Sequence, residues 1–208
     1  MGLIKKFYSN TARPEGFLGS LMVSMMNSGK HSKLAEWGLG HLKLRGDEVA
    51  ADIGCGGGEN LARLCDLLPE GMVIGIDRSE VSVEKSIEVN RRAIEHGRCC
   101  VINGEACDLP LEDRSADLIT AFETVYFWED IYKCFAEVYR VLKAGGRFVI
   151  VNEADGKHEK DLKWTHIVEG MHIYNGEELT MLIKDAGFRT VTADDDESGD
   201  RLYVEAVK

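Results

Sequence analysis

A glycine-rich turn between an apolar segment and a helical segment constrains the fold of this chain more than any other feature. The turn occupies residues 54–58 (GCGGG) and follows the apolar run at residues 49–53, which predicts a buried strand. Glycines permit positive φ and let a ligand approach the backbone, while the free amides of the first helical turn attract negative charge. The sequence therefore predicts a nucleotide-like cofactor where this strand enters a helix.

The spacing of the glycines narrows the choice of cofactor. Gly54, Gly56 and Gly58 form a GxGxG pattern, whereas the dinucleotide fingerprint GxGxxG needs Gly or Ala where this chain has Glu59. The carboxylate of Glu59 would repel a pyrophosphate at the start of the helix. No Gly-Lys-Ser/Thr closes the turn, so a P-loop is not predicted either. The pattern favours a cofactor without phosphates, and a purely structural turn is the alternative.

Three later strand-like segments end in acidic residues or are followed by them. The second predicted strand, residues 72–77, ends at Asp77, roughly twenty residues beyond the turn, where a ribose-binding carboxylate is expected. The third and fourth strands are followed by Glu105 and Glu123. Open α/β sheets bind ligands at the carboxyl ends of their strands, so we expect these acids to line one site.

Five ordered motifs resemble those of the class I S-adenosylmethionine-dependent methyltransferases. They are the glycine turn at residues 52–58, the ribose-binding strand end at 75–77, the adenine-binding segment at 104–106, the helix stop at 141–150, and the last helix with its exit at 177–188. The family usually has Asp at the position of Glu105 and Pro at that of Ala144. The resemblance covers about residues 35–208.

The resemblance implies an α/β fold that is Rossmann-like and doubly wound, and the alternation of strands and helices favours the same architecture. We expect a mostly parallel, seven-stranded sheet with an antiparallel last strand. One methyltransferase domain is expected over residues 1–208. It would comprise N-terminal cap helices at 1–44, a cofactor-binding half at 45–153, and a substrate-side part at 154–208 with a cap insertion, the last helix and the closing strands.

The resemblance also implies which residues hold S-adenosylmethionine. Gly54, Cys55 and Gly56 would contact the methionine part, and Asp77 would hold the ribose hydroxyls. Glu105 would accept from the adenine amine. The full set of expected cofactor residues is Asp52, Gly54, Cys55, Gly56, Gly58, Asp77, Arg78, Glu105, Ala106, Phe122 and Glu123.

Two regions outside the sheet are expected to choose the methyl acceptor. Apolar residues repeat at helical spacing between Leu18 and Met26, which predicts an amphipathic helix that either packs on the sheet or forms a lid. Residues 154–174 form an aromatic-rich insertion. Together with the aromatic cluster at 126–128, of which Phe127 is expected in the core, these regions give a predicted acceptor pocket of Met22, Met26, His31, Tyr126, Trp128, Trp164 and His166.

The periodicity of the chain predicts its helices and remaining strands. The third and fourth strands are expected at 99–104 and 117–122, and the closing strands at 188–193 and 202–207. The expected helices are 32–42, 59–68, 79–96 with Ser79 as N-cap, 129–142, and 177–186 after the N-cap Asn175. The acidic, turn-rich sequence of residues 194–200 predicts a solvent-exposed hairpin loop.

Composition limits the partners and the compartment. A formal net charge of −11 disfavours a broad nucleic-acid interface, which needs a basic face. No segment resembles a signal peptide or a membrane span, so a cytoplasmic protein without a membrane partner is expected. The six cysteines contain no CxxC pair and are expected to be buried thiols. His166 and His172 are too far apart for one helical turn, and no metal site is expected.

The sequence therefore predicts an enzyme that moves a methyl group from S-adenosylmethionine to a small-molecule acceptor by direct displacement. A base is needed only if the acceptor must lose a proton, and His31, Glu123, Tyr126 and His166 are the candidates. The first alternative is a non-catalytic S-adenosylmethionine-binding protein. The second, which the sequence favours less, is an NAD-dependent oxidoreductase. The sequence leaves open the acceptor, the base and the choice between monomer and homodimer.

Overall fold

The computed structural model describes Pro14 and residues 30–168, 170–195 and 201–208. The strands are β1 (Val49–Ile53), β2 (Met72–Asp77), β3 (Cys99–Asn103), β4 (Ala116–Phe122), β5 (Leu142–Asn152), β6 (Thr190–Asp195) and β7 (Leu202–Val207). The helices are α1 (Lys30–Gly40), α2 (Glu59–Leu67), α3 (Glu80–Val89), α4 (Arg91–Glu95), α5 (Ile131–Val141), α6 (Glu159–Ile167) and α7 (Gly176–Asp185), with a 3₁₀ turn at Val125–Phe127.

The seven strands form one sheet in the order β3-β2-β1-β4-β5-β7-β6. β1 lies between β2 and β4. On the outer sides, β2 pairs with β3, and β4 pairs with β5. All four of these pairs are parallel. β7 runs antiparallel to both β5 and β6. The predicted doubly wound, mostly parallel sheet with an antiparallel last strand is confirmed. The strand order reverses beside β1, and such a switch point opens a crevice at the carboxyl ends of the strands.

Apolar layers cover both faces of the sheet. Leu34 of α1 and Leu61 of α2 are buried in one layer, and Phe135 of α5 and Leu179 of α7 are buried in the other. Strands covered on both sides have near-continuous apolar sequences, as residues 118–122 (LITAF) do. Within the described part of the chain, no helix has the length and apolar character needed to span a membrane.

The predicted helix at residues 79–96 is two helices, because Asn90 interrupts it. Ser79 caps α3 as predicted, with its hydroxyl accepting from the amide of Ser82. The buried Asn90 side chain donates from Nδ2 to the carbonyls of Ser86 and Gly58, both at 2.9 Å. An asparagine that binds backbone carbonyls in this way competes with the helical ladder. The break therefore fastens the end of α3 to the glycine turn before α2.

The other predicted elements form with small shifts at their ends. The helix expected at 32–42 is α1, which ends at Gly40, so Leu42 lies beyond it. The last helix begins after Asn175 with the capping box that this residue forms with Glu178. The strand expected to begin at Phe188 begins at Thr190. The N-terminal helix with Met22 and Met26, and residues 196–200 of the acidic loop, lie outside the described residues.

The cysteine prediction is wrong for two residues. Cys107 and Cys134 form a disulfide that joins the segment after β3 to α5. Cys55, Cys65 and Cys99 are buried free thiols as expected, while Cys100 is half-buried. No local pattern indicates the pair, because the two cysteines are 27 residues apart and meet only in the folded chain.

Candidate cofactor and acceptor site

A cavity of ≈ 360 Å³ opens at the carboxyl ends of the parallel strands. A smaller cavity of ≈ 80 Å³ adjoins it. Cys55 lines this smaller cavity, together with Gly54, Gly56, Phe122 and Glu123, which line both cavities. The predicted cofactor residues in the wall of the larger cavity are Gly54, Gly56, Asp77, Arg78, Glu105, Ala106, Phe122 and Glu123. The structure therefore brings together the ends of four strands at one site, as the sequence predicts.

Asp77 connects the glycine turn to the start of α3. Its Oδ2 accepts from the amide of Gly56 and its Oδ1 from the amide of Ser79, both at 2.9 Å. The residue is only 9% exposed. Burial raises the pKa of this carboxyl, although the two backbone amides act in the opposite direction. Each carboxylate oxygen keeps a lone pair for another donor, so the group is able to accept two vicinal hydroxyls while it holds the turn.

The glycine turn needs its glycines for two different reasons. Gly54, Gly56 and Gly58 all have positive φ, at 76°, 53° and 84°. A Cβ on Gly54 would overlap with Thr124 Cγ2 and lie 2.7 Å from Thr124 Cβ, whereas a Cβ on Gly56 would meet nothing within 4 Å. Gly56 faces open cavity, so its missing side chain leaves room for a ligand.

Asp52 lies beneath this turn rather than in the cavity wall. It is 1% exposed, and its Oδ1 accepts from the hydroxyl of Thr120 on β4 at 2.6 Å. Burial raises the pKa of Asp52 to about 7, with a further upward contribution from Asp77 and an opposing one from the Thr120 hydrogen bond. Gly58, the N-cap of α2, lines neither cavity and packs closely against Ser86 and Asn90.

The segment after β3 forms another part of the cavity wall. Asp108 donates its amide to the carbonyl of Glu105 at 3.2 Å, which closes a tight turn and leaves the exposed Glu105 side chain at the cavity. Arg78 forms an ion pair at 3.7 Å with Glu129, and both line the cavity. Ala106 follows in the wall and is joined to α5 through the neighbouring Cys107 disulfide.

Glu123 and Tyr126 form a hydrogen-bonded pair at the far end of the site. Glu123 follows β4 with φ of 60° and lines both cavities. Its Oε1 accepts from the Tyr126 hydroxyl at 3.0 Å and from the amide of Glu153. Burial raises the pKa of Glu123 to about 7; the hydrogen bonds from the Glu153 amide and the Tyr126 hydroxyl oppose this rise, and the charges of Glu153 and Asp161 add to it. A carboxyl with that pKa is able to exchange a proton near neutral pH.

The aromatic cluster is arranged differently from the prediction. Phe127, expected in the core, is half-buried and lines the cavity with Trp128. Tyr126, expected at the acceptor, is 3% exposed and absent from both cavity walls. The 3₁₀ turn at Val125–Phe127 rotates successive side chains by about a third of a turn, which exchanges the two positions.

The remaining predicted pocket residues are not gathered at the cavity. Trp164 and His166 lie on α6 and line neither cavity. Met22, Met26 and the side chain of His31 lie outside the described parts of the structure. Sequence reasoning missed Pro14, Thr124 and Lys133, which line the cavity. Pro14 is held there because its carbonyl accepts from the Ser79 hydroxyl at 2.5 Å, a contact across 65 residues without a local signal.

Comparisons with known proteins agree with this geometry. The family model described as "Methyltransferase domain" matches residues 51–150. The 27-O-demethylrifamycin SV methyltransferase of Amycolatopsis mediterranei is 28% identical over 162 residues, which are 75% of this chain and 59% of that protein. Cycloartenol-C-24-methyltransferase 1 of Oryza sativa subsp. japonica is 28% identical over 149 residues, 67% of this chain and 43% of the relative.

A solved S-adenosylmethionine-dependent methyltransferase from Aquifex aeolicus has the same fold, with a TM-score of 0.76 at 21% identity over 90% of this chain and 97% of the other. Residues 51–150 match the methyltransferase-domain family, and the chain has the fold of the class I S-adenosylmethionine-dependent methyltransferases. It spans about half the length of the two curated relatives named above, at 43% and 59%.

The close approach of Thr124 to Gly54 predicts a difference between two alanine variants of the ligand-free protein. Gly54→Ala should lower the free energy of unfolding by about 2–4 kcal/mol, because overpacking adds to the cost of a left-handed backbone. Gly56→Ala should cost only about 1–2 kcal/mol, since its Cβ enters open space. Urea unfolding measures both values. Equal losses would show that the Thr124 contact does not constrain the turn.

The buried Asp52 predicts a pH dependence of stability. Its pKa is raised from 3.8 to about 7 in the folded protein, so between these values the folded state binds a proton that the unfolded state has released. The stabilisation is complete below the unfolded pKa and is lost as the pH rises through about 7. Asp52→Asn should therefore flatten the fall in unfolding free energy between these pH values. Identical pH profiles of parent and variant would contradict this pKa.

Proposed function

We propose that this protein binds S-adenosylmethionine in the larger cavity and transfers its methyl group to a small-molecule acceptor by direct displacement. The observation that carries the proposal is the position of Asp77. Its carboxylate lies in the cavity wall between the glycine turn and the segment of Glu105 and Ala106, and it already orders the turn through Gly56. A ligand with a ribose between two different ends matches this order of groups.

Each end of the cavity suits one end of that ligand. Glu105 offers a carboxylate to an adenine amine, and the backbone of Ala106 offers an amide to a ring nitrogen. Gly54 and Gly56 leave backbone surface open for the methionine part, next to Phe122. Glu59, in the first turn of α2, disfavours the pyrophosphate of NAD at the same place. An oxidoreductase function is therefore less well supported.

Methyl transfer from a sulfonium requires alignment of the two reactants more than a reactive side chain. The acceptor atom attacks the methyl carbon opposite to sulfur, the bond from carbon to sulfur breaks, and the positive charge on sulfur is lost. Correct alignment contributes up to roughly 7–11 kcal/mol in such reactions. The ring faces of Phe127 and Trp128 in the cavity wall are suited to attract the sulfonium charge.

The acceptor is proposed to be a small molecule. Both curated relatives named above carry a small molecule in their names, a sterol in one case and a rifamycin in the other. The net charge of −11 gives no support for a nucleic-acid substrate.

A non-catalytic cofactor-binding protein would keep the same Asp77 site without methyl transfer. The cytoplasmic location and the choice between monomer and homodimer stay predictions of the sequence.

The proposal predicts that Asp77 determines cofactor affinity. Isothermal titration of the parent should detect S-adenosylmethionine and S-adenosylhomocysteine but not NAD. Asp77→Asn should weaken both sulfur ligands by about 10- to 100-fold, because the ribose hydroxyls lose a charged acceptor. Asp185→Asn, at the exposed end of α7, is the matched control and should bind like the parent. No binding of either sulfur ligand to the folded parent would refute the cofactor, and unchanged affinity in Asp77→Asn would refute the ribose role.

Glu123 is the proposed base for an acceptor that must lose a proton, since it alone lines a cavity among the three candidates whose side chains the structure describes, Glu123, Tyr126 and His166. The base acts when ionised, so the rate of transfer should rise with pH up to about 7 and then level off. Glu123→Gln should lower kcat by about 10²- to 10⁴-fold with a smaller effect on cofactor affinity. An unchanged kcat with a flat pH profile would exclude this role.

A further inference from the structure

A second group of polar side chains lies outside the cavity, in the segment that leaves β5. Asp155, His158 and Asp161 follow one another at intervals of three residues, and His158 and Asp161 belong to the N-cap and first turn of α6. One oxygen of each carboxylate and one ring nitrogen of His158 all lie within 4.8 Å of one another. Neither cavity wall includes any of the three residues.

The Asp155 carboxyl is buried, and one of its two oxygens has no hydrogen-bond partner among the described residues. The residue is 1% exposed. Its Oδ1 accepts from the amide of Lys157 at 2.9 Å and faces His158 Nδ1 at 3.2 Å, whereas Oδ2 is buried without a hydrogen-bond partner. A buried carboxylate oxygen normally has a partner, because the loss of its hydration is otherwise uncompensated. The charge of this buried carboxylate is therefore not fully compensated by its hydrogen bonds to the described residues, and a cation at the cluster would compensate it.

We propose that Asp155, His158 and Asp161 bind a divalent first-row transition-metal cation. With bonds of about 2.0–2.2 Å, neighbouring ligand atoms of one ion are about 2.8–3.6 Å apart, and opposite ones at most about 4.4 Å. The 3.2 Å between His158 Nδ1 and Asp155 Oδ1 falls in the first range. The widest separation in the cluster, up to 4.8 Å, would have to shorten by a few tenths of an ångström on binding.

The donor set selects the kind of cation. Two carboxylates offset the charge of a divalent ion, and the imidazole favours transition metals over Mg²⁺ and Ca²⁺, which prefer oxygen ligands throughout. Mn²⁺ and Zn²⁺ both accept mixed nitrogen and oxygen ligands. Three protein ligands leave coordination positions open for water. The His158 ring is 45% exposed, so the site has access from solvent.

A bound cation would fasten the start of α6 to the end of β5. Asp155 follows Ala154, whose amide donates to the Tyr126 hydroxyl at 3.0 Å, and Tyr126 in turn binds Glu123. The cation would therefore stabilise the substrate-side cap next to the methyl-transfer site without entering it. The competing explanation is a simple hydrogen bond between Asp155 and His158 that fixes the first turn of α6.

Manganese binding to the full chain separates these explanations. The protein is treated with EDTA, dialysed and titrated with Mn²⁺, and the free ion is followed by its EPR signal. Mn²⁺ is the first probe because Zn²⁺ also binds thiols such as the half-buried Cys100. Thermal unfolding with and without Mn²⁺ provides a second readout that does not depend on methyl transfer.

We expect one Mn²⁺ per chain and a rise in Tm on binding. His158→Ala and Asp155→Asn should each weaken binding by at least about tenfold and abolish the rise in Tm. His158→Ala is the safer variant because the His158 side chain is 45% exposed, whereas that of Asp155 is buried. His96→Ala, which removes another exposed histidine, is the matched control and should bind Mn²⁺ like the parent. Absence of binding to the parent, or equal affinity in His158→Ala and the parent, would overturn the proposal.

Discussion

The contacts of the Asp77 carboxylate hold the cofactor side of the structure together. This one group accepts the amide of Gly56 from the turn after β1 and the amide of Ser79 at the start of α3. The Ser79 hydroxyl in turn donates to the carbonyl of Pro14 and, as the N-cap of α3, accepts from the amide of Ser82. A single buried carboxylate thus orders the glycine turn, the start of a helix and one residue of the N-terminal segment. Because the same group faces the cavity, a bound ligand and the local fold depend on the same atoms.

Carboxyl groups are concentrated where the central strands end. Asp52, Asp77 and Glu123 all have raised pKa values, and burial is the largest cause for each. Desolvated acids are costly to ionise unless a positive charge lies close to them. A sulfonium ligand with an α-amino group would supply such a charge, so the raised pKa values of these acids agree with the proposed cofactor. The same reasoning extends to the cap, where the buried Asp155 has an unpaired oxygen.

Local patterns predicted most of the sheet and the cofactor wall. Strand β2 has the predicted bounds, and Asn175 forms the predicted cap, because both depend on residues close in sequence. The break at Asn90 was missed, since the side chain that causes it binds Gly58 at a distance of 32 residues. The exchange of Tyr126 and Phe127 was missed because a short 3₁₀ turn does not follow helical or strand periodicity.

The sequence by itself determined the order of strands and helices, the glycine turn and the acids at the strand ends, because glycine conformation, capping and apolar periodicity act over a few residues. Tertiary structure alone decided which side chains share a space. It joined Cys107 to Cys134 and placed Thr124 against Gly54. Such contacts arise from the packing of elements that are distant in sequence. Neither the composition of the chain nor the spacing of its residues shows which side chains will meet.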